Sequence, residues 1–590
     1  MAGSSAYNIR ELTYSQILKE NAELAKTVTG KNFTVDILSN VTVNPIKEIL
    51  ELSIRSLSLN PLVKFGNYDN IVQETFGIGD TDLVIVFYEL INLTENFHLQ
   101  AELLSDEELL EVMAKCKQDL DIIFHNLSVK PLVLFNRFSS YPFTGAHFGK
   151  RNIDTIEREL NNYIFEKKPG NVQLIDINRI LCSIGVKEAL DKKKFGKYKS
   201  LYKIEFLKLY VDGIENLLLR RTGELKKALI FDCDNTLWKG VIGEDGPEGI
   251  DMSAKSDVGV HYQQVQKIAV VLSEKGVLIC LCSKNNSAEV EGLLGNHPDM
   301  VLNTSHIVAM KVNWNSKDEN LKALAKELNI GLDSFVFIDD SEFEVNLVKS
   351  SLRDVVTVIV PKDITEYPSL ILETAQRYFN LEPLKEDLTK VKAYKEQAQR
   401  TDALSSIGNI DAYLATLETK VVISKNNYEQ IPRVAQLTQK TNQFNLTTIR
   451  YSETEIAALM NDGKATVFTI DVSDKFGESG ITGVVILKRS MIDEKVIEID
   501  SYLLSCRILG RKIEAAFLDF IVTYCKEQNY KIVKATYIRT AKNTQVATFY
   551  SDHQFQIETG SDNEVTYWLD LEKYTPEKIS FISLQEYQPI

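Results

Sequence analysis

The sequence predicts a multi-domain α/β protein that ends in an α+β domain, and three observations support this fold class. The chain has 590 residues, 44% of them hydrophobic, which is enough for several cores. Apolar runs alternate with amphipathic stretches up to about Tyr202, and the alternation restarts after Gly223, as expected for parallel sheets covered by helices. The last third has strand-like alternation with separate helices. We therefore expect three domains, at residues 1–222, 223–380 and 381–590.

The predicted elements can be given domain by domain. In the first domain, apolar strands read "FTVDILS", "DLVIVFYEL", "KPLVLFNRF" and "NVQLIDINRIL", separated by amphipathic helices such as "NPIKEILELSIRSL". In the second, the strands read "KALIFDCD", "VLICLCSKN", "MVLNTSHIV" and "SFVFIDD". A charged connector helix, "LEPLKEDLTKVKAYKEQAQRTDALSSI", leads to a third domain with the strands "KATVFTIDVSDK", "GITGVVILKRS", "KVIEIDSYLLSC" and "YKIVKATYIR". These last strands predict a mostly antiparallel sheet.

The composition excludes several classes of function. The net charge of -15 argues against an extended nucleic-acid surface, which needs clustered Lys and Arg. No apolar run approaches the roughly 20 residues of a membrane span. The seven cysteines show neither disulfide nor metal-knuckle spacing, so a reducing cytoplasm is the expected location.

Polar side chains end several predicted strands of the central domain. "KALIFDCDNTLW" reaches Asp232 and Asp234, "LICLCSKNN" reaches Ser283, and "FVFIDDSEF" ends in Asp339–Asp340, while Lys317 opens a helix. An Asp-rich turn is by itself an ordinary way to end a strand. However, the carboxyl ends of parallel strands converge on one crevice, so these groups should meet there. Carboxylates suit Mg²⁺, and a hydroxyl with an ammonium suits phosphoryl oxygens.

In order and residue type, these motifs resemble those of the haloacid-dehalogenase (HAD) superfamily of phosphotransferases. The resemblance implies that Asp232 is the nucleophile and that Asp234 is the acid/base, its backbone carbonyl also binding the metal. It leaves open whether Asp339 or Asp340 ligates the ion directly. The implied cofactor is Mg²⁺, with Asp232, Asp234, Asp339 and Asp340 as metal site and Ser283, Lys284 and Lys317 as phosphate-binding residues.

The spacing of these motifs predicts an open site. Only 51 positions separate Asp232 from Ser283, and only 22 separate Lys317 from Asp339, which leaves no room for a large cap domain. A site without a lid admits a bulky substrate, such as a phosphoryl group presented on a carrier protein, and excludes water less well.

A basic turn in the last domain follows a strand and precedes a helix, in "SYLLSCRILGRKIEAAFLDFIV". It resembles the Arg-x-x-Gly turn of the GNAT superfamily of N-acetyltransferases, and "KNTQVATFYSDHQF" resembles the later Asn and Tyr helix of that fold. Free amides at such a helix start suit a pyrophosphate or pantetheine arm. The acyl- or pantetheine-binding residues implied are Arg507, Gly510, Arg511, Asn543 and Tyr550.

Cys506 opens this turn and has two interpretations. It could be a small core residue at a strand end, or a nucleophilic thiol whose pKa is lowered by the neighbouring cations and helix start. Cys233 and Cys282 flank the carboxylates, but alternation along their strands turns both away from the phosphate.

Together the segments "FDCDNTLWKGVIGEDG", "LCSKNN", "RVAQLTQKTNQFNLTT", "DKFGESGITGVVIL" and "LLSCRILGRKIE" resemble FkbH-like proteins, from roughly Asp36 to Phe555. The resemblance implies an N-terminal flavodoxin- or SGNH-hydrolase-like parallel sheet, a central capless HAD Rossmannoid domain and a C-terminal GNAT-like α+β domain. It also implies a glyceryltransferase that takes a phosphoglyceryl unit from 1,3-bisphosphoglycerate onto an enzyme thiol, dephosphorylates it and passes it to an acyl carrier protein. Cys506 is then the candidate thiol.

Two further segments leave alternatives open. In "KTNQFNLTT", Asn442, Gln443 and Asn445 could bind glyceryl hydroxyls or a pantetheine amide, or could simply cap a turn. In the first domain, Ser39 ends a strand where an SGNH hydrolase has its serine, but the Asp-x-x-His of such enzymes is missing and His147 is the nearest alternative. We expect a degenerate domain that binds a substrate or partner.

The function expected is therefore a Mg²⁺-dependent phosphatase and glyceryltransferase acting on a phosphorylated three-carbon acid and an acyl carrier protein. The alternatives are a stand-alone capless phosphatase and a non-catalytic biosynthetic scaffold protein.

Overall fold

The computed structural model describes residues 9–28, 30–95, 97–143, 151–381, 394, 414–461, 463, 465–490, 492–577 and 579–587. Two compact units are present, Met1–Leu218 with Tyr451–Glu455, and Leu219–Arg450 with Ile456–Ile590. The predicted central and C-terminal domains thus belong to the same unit. Apart from Tyr394, residues 382–413 of the predicted connector lie outside the described residues, as does His147.

The N-terminal part contains a parallel five-stranded sheet in the order β2-β1-β3-β4-β5. Its strands are β1 Asn32–Ser39, β2 Asn60–Phe65, β3 Leu83–Phe87, β4 Val133–Asn136 and β5 Val172–Ile175. The helices of this part are α1 Tyr14–Thr27, α2 Ile46–Ser56, α3 Ile71–Glu74, α4 Phe97–Gln100, α5 Asp106–Leu127, α6 Asn152–Lys167, α7 Ile177–Ile184, α8 Val186–Ala189, α9 Lys192–Tyr198, α10 Ile204–Gly213 and α11 Glu215–Thr222. The predicted parallel α/β layer is confirmed.

The central part is a second parallel sheet, in the order β10-β9-β6-β7-β8. Its strands are β6 Ala228–Phe231, β7 Leu278–Ser283, β8 Ile307–Val312, β9 Phe335–Asp339 and β10 Val356–Ile359. The helices are α12 Ile242–Gly249, α13 Gly259–Glu274, α14 Ser287–Asn296, α15 Lys317–Leu328, α16 Glu342–Ser351 and α17 Tyr367–Tyr378. The strand predicted at "MVLNTSHIV" was placed too early, because the Asn303 side chain accepts from Ser305 N at 2.9 Å and makes a turn there.

The C-terminal part is an eight-stranded mixed sheet in the order β16-β17-β15-β14-β13-β12-β11-β18. Neighbours are antiparallel except the parallel pairs β14/β15 and β11/β18. The strands are β11 Thr419–Lys425, β12 Ala465–Asp474, β13 Gly477–Arg489, β14 Val496–Leu504, β15 Ile532–Ile538, β16 Gln556–Gly560, β17 Glu564–Asp570 and β18 Ile582–Glu586. The helices are α18 Ile431–Lys440, α19 Glu453–Asn461, α20 Ile513–Glu527 and α21 Phe549–Asp552.

The parallel strands β14 and β15 are paired only as far as Ile499 and Ala535. Beyond that point the segment 444–446 lies between them, as three backbone hydrogen bonds show. Leu446 N donates to Tyr502 O at 3.1 Å, Leu504 N donates to Phe444 O at 3.0 Å, and Ile538 N donates to Leu446 O at 2.8 Å. The chain itself thus satisfies the backbone groups that the diverging strands would otherwise leave open.

A partly buried ion network joins the central and C-terminal parts at the amino edge of the central sheet. Lys542 Nζ lies 2.8 and 2.7 Å from the two carboxylate oxygens of Glu224, which precedes β6. It also lies 2.8 Å from Asp333 Oδ2, just before β9. The C-terminal part therefore packs at the edge opposite to the strand ends that carry Asp232 and Asp339.

Among the described residues, every helix is too short or too polar to cross a lipid bilayer.

Candidate active site

Five side chains predicted for the central site meet at the carboxyl edge of the sheet. Asp232 directly follows β6, Ser283 ends β7, and Asp339 ends β9, with Asp340 next to it. Lys317, the first residue of α15, is buried beneath them. The parallel strand order β9-β6-β7 brings their ends together, which is why residues far apart in sequence form one cluster.

The ammonium group of Lys317 is the centre of this cluster. Lys317 Nζ donates to Asp232 Oδ1 and to Cys282 O, the latter at 2.8 Å, and lies 3.2 Å from Asp339 Oδ2. Burial lowers the pKa of Lys317, but the two facing carboxylates more than offset it and hold the pKa above its usual value. The amine is therefore charged and neutralises part of the carboxylate charge.

Asp234 is held by three N–H donors and not by Lys317. Its Oδ1 accepts from Trp238 Nε1 at 2.9 Å and from Ile242 N at 3.2 Å, and its Oδ2 accepts from Asn285 Nδ2 at 3.0 Å. Asn285 Nδ2 also donates to Ser283 Oγ at 3.1 Å. Asn285 thus couples the acid/base candidate to the phosphate-binding hydroxyl. Sequence reasoning missed this residue, although it stands two positions after Ser283.

Three carboxylates are arranged to hold a cation. One oxygen each from Asp232, Asp339 and Asp340 lie within 4.8 Å of one another. Burial and then the charge of Asp232 raise the pKa of Asp339 to about 7, against the opposing charge of Lys317. Asp339 Oδ2 is buried and accepts no hydrogen bond within the described part of the chain. Such closely spaced carboxylate oxygens, facing a single ammonium group, fit a hard divalent cation such as Mg²⁺.

A buried tyrosine lies beneath the same carboxylates. The Tyr367 hydroxyl, on the first residue of α17, has no hydrogen-bond partner among the described residues. Burial, and the nearby negative charges of Asp232, Asp339 and Asp340, raise the pKa of Tyr367 well above its ordinary value. The carboxylate of Asp234 lies outside the cation-binding group, so of the four predicted metal residues its side chain is the one not included.

Lys284 points elsewhere than predicted. Its Nζ donates to Glu344 Oε1 of α16 at 2.6 Å, whereas the phosphate-binding prediction required it beside Ser283 and Lys317. A partly exposed lysine next to a buried carboxylate forms an ion pair readily, and this pair keeps it out of the cluster of Asp232 and Lys317.

The site has no cap within the described residues 151–381. Between β6 and β7 the chain forms only α12, α13 and their loops, and between Lys317 and β9 only α15 and a short turn. Two large side chains at the rim are instead exposed, Trp314 at 76% and Phe343 at 71%. Each stands three positions from a site residue, Lys317 or Asp340. The predicted open site is confirmed.

Cys506 lies far from this cluster. It begins a 3-10 turn after β14, and Asn329 Nδ2, from the residue that caps the C-terminus of α15, donates to Cys506 O at 3.0 Å. Lys317 begins the same helix, so the two ends are separated by about 18 Å along its axis. The structure therefore does not bring Cys506 and Asp232 together. Cys233 and Cys282 are buried in the core, as predicted from strand alternation.

The predicted pantetheine-binding residues are mostly internal. Asn445 is fully buried, its Oδ1 accepting from Thr448 N at 2.8 Å, and Asn543 Nδ2 donates to Asn445 O at 2.9 Å. Tyr550 lies in the core of the C-terminal sheet. Asn442 Nδ2 donates to Gly223 O at 3.1 Å. These four residues hold the segment 444–446 and its surroundings, so the structure favours the turn-stabilising alternative.

The basic turn after Cys506 contains the other three predicted pantetheine-binding residues, Arg507, Gly510 and Arg511. Arg511 is buried and pairs with Asp474 at 2.9 Å, and Gly510 has φ +76°, a left-handed conformation that favours glycine. The Arg511 side chain is thus tied to Asp474, whereas Gly510 is exposed and faces open space. Arg507 is buried too, and no carboxylate of the described residues pairs with it.

In the N-terminal sheet, Ser39 is engaged locally. Its Oγ donates to Val41 O, and no histidine among the described residues hydrogen-bonds it. Nearby, Glu89 lies fully buried after β3, where Asn136 Nδ2 donates to its Oε1 at 2.8 Å. Burial raises the pKa of Glu89 to about 7. The described residues thus place a buried polar network beside this strand end, and the substrate- or partner-binding role expected of the domain stays a prediction.

The buried Glu89 should make the stability of the N-terminal sheet depend on pH. A carboxyl whose folded pKa is raised stabilises the fold below its unfolded pKa, and that stability is lost as pH rises through about 7. The loss is on the order of 3 kcal/mol. Hydrogen exchange of the β3 amides should therefore speed up between about pH 4.5 and 7, beyond the intrinsic effect, in the wild type and not in Glu89→Gln. Glu111→Gln, on an exposed face of α5, is the control, and an unchanged pH dependence in Glu89→Gln would contradict the assignment.

No family model matches the chain. No curated protein matches it either. Among solved structures, the N-terminal part of protein BF1531 from Bacteroides fragilis, described as containing a phosphatase domain complexed with Mg, is 20% identical with a TM-score of 0.54. The alignment covers 62% of this chain and 99% of that chain. At this identity the similarity is one of fold.

Acetyltransferases are also similar to part of this chain. The ribosomal-protein-S18-alanine N-acetyltransferase from Escherichia coli is 11% identical, covering 26% of this chain and 94% of that chain, with a TM-score of 0.21. Ard1 from Thermoplasma volcanium is 19% identical, covering 25% and 97%, also with a TM-score of 0.21. Scores this low add nothing to the sheet topology described above. The predicted fold class is confirmed: two parallel α/β sheets, the second without a cap, followed by a mixed α+β domain.

Proposed function

We propose that this chain is a Mg²⁺-dependent enzyme of the HAD phosphatase type. The observation that carries the proposal is the buried contact of Lys317 with Asp232 and Asp339, with Asp340 completing a three-carboxylate group. Mg²⁺ held by these oxygens supplies positive charge to the phosphoryl group. The Mg-bound phosphatase domain of BF1531 shares this fold and supports the cofactor assignment.

The residues then divide the chemistry between them. An oxygen of Asp232 forms a bond to phosphorus while the bond from phosphorus to the leaving oxygen breaks. Asp234 gives a proton to that oxygen and later takes one from the water that hydrolyses the aspartyl phosphate. Ser283 and Lys317 bind the phosphoryl oxygens, and Asn285 fixes Asp234 relative to Ser283.

The finer proposal is glyceryl transfer. The substrate is a phosphorylated three-carbon acid, Cys506 is the thiol that takes the acyl group, and an acyl carrier protein is the acceptor. Two features support a substrate on a macromolecule: the site has no cap, and Trp314 and Phe343 expose apolar surface at its rim. Cys506 is partly exposed and has no disulfide, as the reaction requires. A free thiol favours a reducing compartment, so we place the activity in the cytoplasm.

Intact-mass spectrometry after incubation with 1,3-bisphosphoglycerate and Mg²⁺ tests the function. A glyceryl or phosphoglyceryl adduct that is absent from Cys506→Ala is the expected result. Phosphate release without any adduct would favour a stand-alone phosphatase instead. If neither appears above the level of Asp232→Asn, a non-catalytic scaffold protein is favoured.

A further inference from the structure

Arg507 is a buried cation without a carboxylate partner. Only 6% of the residue is exposed. Its Nε donates to Ser505 Oγ at 3.3 Å, while Nη1 is buried with no hydrogen-bond partner, and no described residue forms an ion pair with it. Arg511, four positions later and equally buried, does have such a partner in Asp474. Since an unpaired buried charge is costly, the unpartnered Nη1 of Arg507 points to an anionic ligand for this side chain.

The neighbours of Arg507 show where this anion would lie. The Tyr394 hydroxyl is 3.5 Å from Cys506 Sγ. Arg507 directly follows Cys506 in the chain, and its charge opposes the rise in the pKa of Tyr394 that burial causes. A guanidinium, a phenol and a thiol thus converge at one place.

The backbone of this turn is fixed from two sides. Asn329 Nδ2 donates to Cys506 O, and Arg511 Nη2 donates to Arg507 O. A second polar atom without a partner, Thr482 Oγ1, belongs to the residue whose carbonyl accepts from Ser505 N at 2.7 Å. Asn329 and Arg511 therefore fix the backbone of the turn, while the Arg507 guanidinium remains available to bind a ligand. This is the arrangement of a preorganised binding site.

We propose that Arg507 binds the phosphate of a small phosphorylated acid whose acyl carbon reaches Cys506. A guanidinium presents two parallel N–H groups that match phosphate oxygens. The proposal rests on Cys506 as the acylated thiol and identifies the group that recognises its substrate. It replaces the pantetheine-binding function expected for Arg507 from the sequence with recognition of the acyl donor.

The chemistry at this site balances with an acyl phosphate as donor. The sulfur of Cys506 forms a bond to the acyl carbon, the bond from that carbon to the phosphate oxygen breaks, and inorganic phosphate leaves with the electron pair. The thiol proton goes to water. The other phosphate of the donor stays on the acyl unit and is the one that Arg507 holds.

Protection of Cys506 from alkylation by iodoacetamide tests the proposal on the full chain, with 3-phosphoglycerate as probe. Labelling of each cysteine is followed by peptide mass spectrometry, and exposed Cys182 is the internal control. We expect 3-phosphoglycerate to slow labelling of Cys506 and leave Cys182 unchanged. In Arg507→Met, the concentration for half-protection should rise about 10-fold or more, because a charged hydrogen-bonded pair is lost.

Two further variants separate binding from folding. Arg507→Lys keeps the charge and should retain part of the protection, whereas Arg539→Met, on an exposed arginine of the same sheet, should behave as wild type. Unchanged protection in a folded Arg507→Met, or no protection in the wild type, would overturn the proposal. An acyl adduct that forms equally well without Arg507 would leave the glyceryl function standing and remove only this site. Arg507-dependent protection without any adduct would support the phosphate site at Arg507 and remove the glyceryl function.

Discussion

Asp232→Asn should reduce Mg²⁺-dependent phosphate release by about 10⁴-fold or more, since it removes the carboxylate that attacks phosphorus. The amide also loses the negative charge that faces Lys317, so the variant keeps the volume of the side chain but not its chemistry. Phosphate release from 1,3-bisphosphoglycerate and from a simple aryl phosphate, measured with and without Mg²⁺, checks this result.

Asp339→Asn distinguishes the role of a metal ligand from the role of the nucleophile. Phosphate release by this variant should also be lower than in the wild type. Raising the Mg²⁺ concentration should restore part of it, because Asp232 and Asp340 remain in the cation-binding group. Asp232→Asn should not be restored at any Mg²⁺ concentration. Equal rescue of both variants would mean that Asp232 only binds the metal and that the nucleophile lies elsewhere.

Lys317→Met should lower phosphate release by about 100-fold or more, because the charge that meets the phosphoryl oxygens is lost. It should also lower stability by about 3 kcal/mol, since Asp232 and Asp339 then face each other in the core without their shared cation. The rate is measured at saturating Mg²⁺, and the stability by thermal unfolding in chelator.

Lys322→Met on the same helix is the matched control. Lys322 is exposed and pairs with Asp318 at 2.9 Å, so its loss should change the stability little and the rate not at all. A Lys317→Met protein that stays fully active would show that the ammonium group is structural and would remove it from the phosphate site.

The central site could be predicted from the sequence because each of its groups follows an apolar strand. Asp232, Ser283 and Asp339 stand at strand ends, and a parallel sheet brings such ends together whatever the loops between them do. Asn285 was missed because its contribution is a hydrogen bond across the turn to Asp234, and no periodicity reports such a contact. The same holds for Tyr367, which reaches the cluster from the last helix of the domain.

The edge strands β2 and β10 were also missed. Both lie at the margin of a parallel sheet and are only partly buried, so neither "NPLVKF" nor "VTVI" has the flanking pattern of a central strand. In the C-terminal part, the pantetheine-binding role of Asn445 and Asn543 stays a prediction, because the sequence could not separate it from a structural role. An Asn-rich turn has the same composition whether it binds a ligand or the chain's own backbone, and here it holds segment 444–446 between diverging strands.

Helix α15 links the two chemistries of the proposed function. Lys317 at its start binds phosphate, and Asn329 at its end holds the turn of Cys506. Because a helix has a fixed length, one small acyl unit cannot contact both ends at once. The two reactions are therefore successive steps. Under the proposed function, the phosphate of the acyl unit has to leave Arg507 before it can reach Asp232, so binding at Arg507 and dephosphorylation at Asp232 exclude each other.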